Sequence, residues 1–526
     1  MAENNTTAQV DEIILSRHPG ESLAVVRRER PLADLWILAG VVITAIIFIA
    51  SGGNFFLSLA FVSIVAIVGI TLHRLDYGFY IFIGLDLLLD QFAVPGFQPY
   101  TYMVNYFTNL KMNPLMPPND ITVSLMEIHL LLLVVVWLVR VGVKKNALLN
   151  HVPVWFAAVM FFLWILGSFV YGQMSGGDFM ASLWESRAFF YLGLMYVFVP
   201  QVIQTRKQLQ VSIWVCIAAI SVKALQGIAR FVLQGFTFGD FRTLTNHDDP
   251  AFFITLFLLL TGLLFFGGDQ KQRRALLLLV LPLVAGFFTG LRRATYVSLL
   301  CCVLGYLALL PKRARSISMR YGIALAFLFA IYVAAFWNSD STVGIIAQQV
   351  KVMLLNDPKA AAGGVVSEDY SSNLYRKWED YNLSMTFKKS PLFGIGFGVR
   401  YDMPLVVWGL DRLSYLIYYI PHNQILWLAV KMGAIGYFWF FFFFNAYLFK
   451  GASVFSRLKD PYLKSVCAVC LLAIINQLVV AFFDMQLTWY RSMIYLGFLM
   501  GLLPTLVSLD HQHEGAPSSI DYLWTR

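Results

Sequence analysis

Apolar runs close to the length of a bilayer-crossing helix recur along almost the whole chain, each separated from the next by a few charged residues. A helix needs roughly 20 such residues to cross the hydrocarbon core, where every backbone polar group must be satisfied within the protein. The pattern predicts an all-α polytopic membrane protein with about 14 transmembrane helices and one large helical loop. The predicted spans lie near 35–51, 54–72, 78–97, 121–139, 152–171, 188–203, 211–235, 251–267, 275–290, 294–310, 321–337, 423–449, 466–483 and 493–509. Of the 526 residues, 59% are hydrophobic and 13% charged, outside the range of soluble domains.

Lys and Arg in short connections stay on the cytoplasmic side. With the N-terminus inside, Arg27, Arg28, Arg140, Lys144, Arg206, Lys207, Arg273, Arg274, Lys312, Arg313, Arg457 and Lys459 all fall inside, and outer connections carry far fewer basic residues. The net charge of +9 is thus mainly a topology signal and implies no nucleic-acid partner. The division that follows is a cytoplasmic tail (1–34), transmembrane helices 1–11 (35–337), an outer loop (338–422), transmembrane helices 12–14 (423–509) and a cytoplasmic tail (510–526). Residues 1–34 are polar and lack the apolar core of a signal peptide. The five cysteines lie inside predicted spans, and Cys467-x-x-Cys470 reads as packing.

Within the outer loop, Val343–Leu355 has the spacing of a helix on a membrane surface, and Tyr370–Lys389 predicts another, stopped by Ser390-Pro391. Ala360–Gly364 reads as a linker and Met403–Tyr419 as an aromatic-rich amphipathic stretch. Gly394-Ile395-Gly396-Phe397-Gly398 reads as a flexible turn and lacks the strand and helix of a nucleotide-binding fold.

Arg292 and Arg293 stand between two apolar runs at an outer boundary, against the basic-residue bias. Either they anchor a tight turn to lipid headgroups, or they form an anion site, because guanidinium grips phosphate through a planar fork and stays charged. Arg187, Arg242 and Arg376 are predicted near the same face, as solvated residues or as parts of one electropositive pocket. Lys223 and Arg230 share a helix face, as do Asp86 and Asp90, and pairing between the two sets is the structural reading. His422 precedes a predicted helix with Asn423 as its N-cap; the helix dipole favours a neutral ring able to accept a proton. His247-Asp248-Asp249-Pro250 reads as a loop with capping carboxylates rather than a metal site.

Four segments carry a resemblance: Phe241–Ala251, Thr289-Gly290-Leu291-Arg292-Arg293-Ala294, Pro391–Gly398, and His422-Asn423-Gln424-Ile425-Leu426 with Gly433 and Gly436. Together with Arg376 and Trp378, their order and spacing resemble the O-antigen ligase and O-antigen polymerase superfamily over roughly residues 150–505. The chain departs from the family pattern at Leu291 and Arg293, which leaves the choice between Arg292 and Arg293 open. The resemblance implies a glycosyltransferase of the C type in the bacterial inner membrane, with its site at the periplasmic face and an undecaprenyl-diphosphate-linked glycan as donor.

By that resemblance Arg292 or Arg293, with Arg187, Arg242 and Arg376, binds the diphosphate, and His422 activates the acceptor hydroxyl. Trp378, Tyr401, Trp408, Tyr415, Tyr418 and Tyr419 are the candidates for stacking on sugars, with lipid anchoring at the interface as the alternative. The expected reaction is a metal-independent, inverting transfer without a cofactor. A polymerase is the first expectation, a ligase acting on lipid A-core the alternative, and a transporter the second alternative. Expected partners are the lipid-linked oligosaccharide, the glycan acceptor, membrane lipids and a chain-length regulator.

Overall fold

A computed structural model describes residues 40, 42–50, 52–53, 55–92, 99–110, 123–143, 150–238, 243–339, 341–355, 365–406 and 415–513. The expected tail 1–34, residues 514–526, the linker Ala360–Gly364, Arg242 and Trp408 lie outside these. The chain divides into two units, Met1–Gly78 and Phe79–Arg526. In the first, helix α1 (Phe55–His73) leads into a turn where Arg74 grips Asp76 through two hydrogen bonds of 3.0 and 2.8 Å. Helix α2 (Leu75–Leu88) starts there.

In the second unit, the helices that follow are α3 (Leu125–Val143), α4 (Trp155–Met174), α5 (Phe179–Val202), α6 (Arg206–Leu233), α7 (Asp249–Phe265), α8 (Gln270–Thr289), α9 (Arg293–Leu309) and α10 (Lys312–Ala335). After them come α11 (Ile345–Leu355), α12 (Val365–Phe387), α13 (Gln424–Arg457), α14 (Pro461–Ala481) and α15 (Tyr490–His513). The β-structure among the described residues is a two-residue antiparallel pair, Asn109–Leu110 with Val123–Ser124.

Eight described helices are long and apolar enough to cross a membrane. That is short of the expected 14, and helix length is the main reason. Helices α7 and α9 have 17 residues each, a length of about 26 Å against a hydrocarbon core of about 30 Å. Helix α10 reports on the surroundings directly: none of its 18-residue apolar window is buried within the protein. An apolar helix with no protein cover is stable only where the solvent is itself apolar.

Small residues set the closest approaches. Gly497 and Gly501 lie against Leu192, Met195 and Val199, so α15 packs tightly along α5. Gly286 lies against Ala224 where α8 crosses α6.

Helix α13 is broken at Gly433, whose φ of 65° departs from helical geometry. A break inside an apolar bundle leaves carbonyls and amides that must find partners. The segment after α12 supplies them. Ile395 N–H donates to Val430 O at 2.9 Å, Gly396 N–H to Lys431 O at 3.0 Å, and Ala434 N–H to Pro391 O at 2.8 Å. Trp164 Nε1 donates to Met432 O at 2.9 Å. Gly394, Gly396 and Gly398 all have positive φ (74°, 85° and 79°), and a Cβ on Gly396 would overlap Gly172. The expected flexible turn is therefore a pinned segment, and its glycines serve close backbone packing. Beside it Lys431 pairs with Glu185 at 2.7 Å, both fully buried.

A second buried network joins α2, α6, α7 and α15. Arg491, with no exposed surface, donates to Asp248 Oδ1 at 2.8 Å, Asp249 Oδ1 at 3.1 Å and the Asp86 carbonyl at 2.9 Å. Lys223 pairs with Asp90 at 2.5 Å and lies 3.6 Å from Asp249. The expected pairing of Lys223 with Asp90 is present. Asp248 differs from the expectation of a capping carboxylate, making no side-chain capping bond and pairing with Arg491, whereas Asp249 accepts from Asn246 N–H at 2.9 Å at the helix start and also meets Arg491.

Two stability outcomes follow from these contacts. Gly396→Ala combines positive φ with an overlap on Gly172, so the thermal-denaturation midpoint should fall by several degrees; an unchanged midpoint would show that the segment is not pinned. Arg491→Leu strands two buried carboxylates and should cost about 3–5 kcal/mol. Wild-type yield and midpoint for that variant would rule the network out as a structural tie.

Candidate active site

Helix α13 begins two residues after His422. Asn423 caps it, its side-chain oxygen accepting from Leu426 N–H at 3.1 Å, while its amide donates to Asp380 at 2.9 Å. The N-cap expected of Asn423 is thus present. Glu379, on α12 and 2% exposed, faces His422. It accepts from the His422 backbone N–H at 2.8 Å and lies 3.3 Å from Nδ1. Tyr375, one turn earlier, donates to Glu379 at 2.9 Å and sets its ring edge-on to the imidazole, centroids 5.3 Å apart. With Nδ1–H directed at the carboxylate, Nε2 is left as the proton acceptor. His422 keeps 26% of its side-chain surface, so the ring is held but reachable.

Arg292 comes from the turn between α8 and α9. It is the residue capping α9, and the preceding Leu291 has a φ of 45°, uncommon for a branched side chain. Three contacts hold that turn. Gln349 on α11 donates to Leu291 O at 3.1 Å, Leu244 N–H donates to Thr289 O at 3.2 Å, and Gly290 sits against Pro250 and Thr245 where a Cβ would not fit. Arg293 starts α9 and is half-buried. A helix N-terminus beside a guanidinium favours an anion twice over.

The two halves meet around Asp484, in the connection between α14 and α15. Its Oδ2 lies 4.0 Å from Arg292 and 3.7 Å from His247 Nδ1. Burial alone would raise the Asp484 carboxyl, but His247, Arg292 and His422 together hold it well below the usual carboxylate range. Arg292 and His247 thus flank one carboxylate. Gln424, fully buried, ties the start of α13 to this connection by donating to Thr488 Oγ1 at 2.9 Å and accepting from Leu487 N–H. Trp489 packs on His247 at 5.3 Å between centroids.

The other candidates divide. Arg187 sits on α5, paired with Glu127 at 3.4 Å and with its charge felt by Tyr490, next to Trp489. Arg376 is on α12, half-buried, with its charge felt by Tyr375 and Asp380. Trp378 is half-buried on the same helix. Tyr401 is a correction: it is 3% exposed, packs against Leu383 and Val430, and donates to Ile417 O at 3.0 Å, so it serves the core and not a sugar. Tyr419 is buried likewise, whereas Tyr418 is half-buried with Arg400 over its ring at 5.2 Å. The side chain of Tyr415 lies outside the described residues. Among the described residues, no three His, Cys, Asp or Glu side chains converge in a way that could hold a metal.

Glu379 and Asp484 were not singled out in the sequence. Glu379 has a signal in retrospect, four residues after Tyr375 and so on one helix face with it. Asp484 is a lone acid at the end of an apolar run.

Residues 277–441 match the family model described as O-antigen ligase. The match contains Arg292, Arg376, the Pro391–Gly398 segment and His422, and it leaves Arg187, His247 and Asp484 outside. Among curated proteins no match was found. Eight apolar helices together with this family point to a bacterial membrane protein with ligase- or polymerase-like activity on lipid-linked glycans. The matched O-antigen ligase domain carries the arginine turn at one end and the histidine helix at the other, and it supports a likeness to the superfamily of O-antigen ligases and polymerases.

Proposed function

We propose that this protein is a polysaccharide polymerase of the bacterial inner membrane. It transfers a glycan from an undecaprenyl diphosphate carrier to a sugar hydroxyl of the next lipid-linked repeat unit, at the periplasmic face. The observation that carries the reading is that His422, backed by Glu379 at 3.3 Å, starts the helix that Gln424 ties to the connection holding Asp484, the carboxylate that Arg292 approaches to 4.0 Å.

The acceptor hydroxyl gives its proton to His422 Nε2 as its oxygen bonds to the anomeric carbon. The bond from that carbon to the phosphate oxygen breaks, its electron pair leaves with the lipid diphosphate, and the configuration inverts. Glu379 holds the imidazole's tautomer and angle and stabilises the imidazolium that forms. Arg292, with Arg293, Arg187 and Arg376 as further candidates, meets the charge that grows on the departing diphosphate. The carrier's tail stays in the bilayer while its diphosphate reaches the helix ends. No metal takes part in this scheme. A ligase is the second reading, favoured by the description of the matching family.

Reconstitution with lipid-linked glycan, with EDTA present, tests the scheme. Elongation of the repeat supports the polymerase, transfer to lipid A-core selects the ligase, and glycan left on its carrier selects the transporter. A strict need for divalent cation would sink the metal-independent mechanism. His422→Ala should lower transfer at least about a hundredfold and Glu379→Gln by a smaller factor, about tenfold or more, in folded protein; full activity in either would remove that residue from the mechanism. Arg292→Ala should weaken binding of the lipid diphosphate by about ten- to a hundredfold, and unchanged affinity would move the assignment to Arg293.

A further inference from the structure

The transfer chemistry leaves His247 unused, yet its ring faces the same neighbourhood. The side chain keeps 38% of its surface while Nδ1 itself is buried. That nitrogen lies 3.7 Å from Asp484 Oδ2, and Arg292 approaches the same oxygen to 4.0 Å. Asn246 fixes the backbone here, its side-chain oxygen accepting from His247 N–H at 3.1 Å and its amide donating to Asp90 at 3.0 Å. One carboxylate therefore holds a guanidinium and an imidazole side by side. A diphosphate carries more negative charge than a carboxylate and would compete with Asp484 for both.

The charged and titratable groups that face His247 are Arg292, Asp484 and His422. Burial and then the Arg292 charge push the imidazole below its ordinary value, His422 adds to this, and Asp484 opposes it. These surroundings favour the neutral ring in the ligand-free site. An anion docked on Arg292 cancels that repulsion and adds attraction of its own, so the protonated ring becomes the favoured form.

Resting on the reading of Arg292 as a diphosphate-binding residue, we propose that His247 is the second phosphate-binding residue, taking up one proton as a diphosphate enters beside Arg292. Asp484 is the internal anion of the empty site. It keeps both partners aimed at the place the phosphate takes. When the carrier bond breaks, the diphosphate gains charge where an imidazolium already stands. Because protonation accompanies binding, affinity is lost as pH rises from the free-state to the bound-state value of His247.

Isothermal titration calorimetry on the full-length protein in detergent tests this, with farnesyl diphosphate and, separately, inorganic pyrophosphate, at pH 7 in two buffers of different ionisation enthalpy. The probe's own protons count equally in every protein, so the readout is wild type against variant. Wild type should take up about one proton more per diphosphate than His247→Gln, and its affinity should fall more steeply with pH, by up to about tenfold per unit. His422→Gln should keep the uptake. Uptake retained in His247→Gln, or lost in His422→Gln, overturns the assignment. His247→Asn, whose amide reaches the Nδ1 position, makes the same comparison where the first variant does not fold. Binding of neither probe overturns the diphosphate reading itself and this proposal with it. Pyrophosphate binding as tight as farnesyl diphosphate overturns only the lipid carrier, and the proton count still decides the role of His247.

Discussion

The backbone of helix α13 is incomplete by itself, and the segment Pro391–Gly398 completes it. In an apolar surrounding, an unpaired amide or carbonyl costs several kcal/mol, so a break at Gly433 survives only where outside partners are fixed. Ile395, Gly396 and Pro391 supply them from the chain, and Trp164 and Ser168 of α4 add side-chain donors. This arrangement sets the course of the first turns of α13, and with it Asn423 and His422. It also brings the end of α12 close, which is how Glu379 comes to face the imidazole.

Arg491 and Lys223 do comparable work on the other half. Both cations are buried; Arg491 reaches Asp248 and Asp249 at the start of α7, and Lys223 reaches Asp249 and Asp90, just past the end of α2. Such pairs add little net stability, since desolvation offsets most of the attraction, but they allow one arrangement of the helix ends. Asp248 follows His247 directly, and Arg491 lies seven residues after Asp484. The ion pairs that lock α7 to α15 therefore also set how the imidazole meets the carboxylate. The proposed site sits on connections, and the buried charges tie together the helix ends that carry those connections.

Much of this was readable along the chain. Each apolar run over the described residues corresponds to a helix, because apolar length and charged punctuation act locally. Asn423 reads as an N-cap and caps Leu426; Lys223 and Asp90 read as partners and are. Other readings went astray where local pattern and tertiary demand differ. Three alternating glycines suggest freedom, yet at Gly394, Gly396 and Gly398 the missing side chains let backbones touch. Tyr401 looks like a sugar platform among other aromatics, but Leu383 and Val430 enclose it. Asp248 looks like a cap at a helix start, and its partner, Arg491, is more than two hundred positions away.

From the order of its residues alone, this protein is a helical membrane bundle with arginines and a histidine set at helix ends, since hydrophobic length, charge bias and capping are properties of neighbouring residues. Which of those ends meet is a tertiary outcome. Glu379 behind His422, Asp484 between Arg292 and His247, and the glycine segment seated in a broken helix all depend on contacts between distant stretches. Burial decides them: inside an apolar bundle each polar group has to find a partner, and that partner is supplied by whichever helix packs against it.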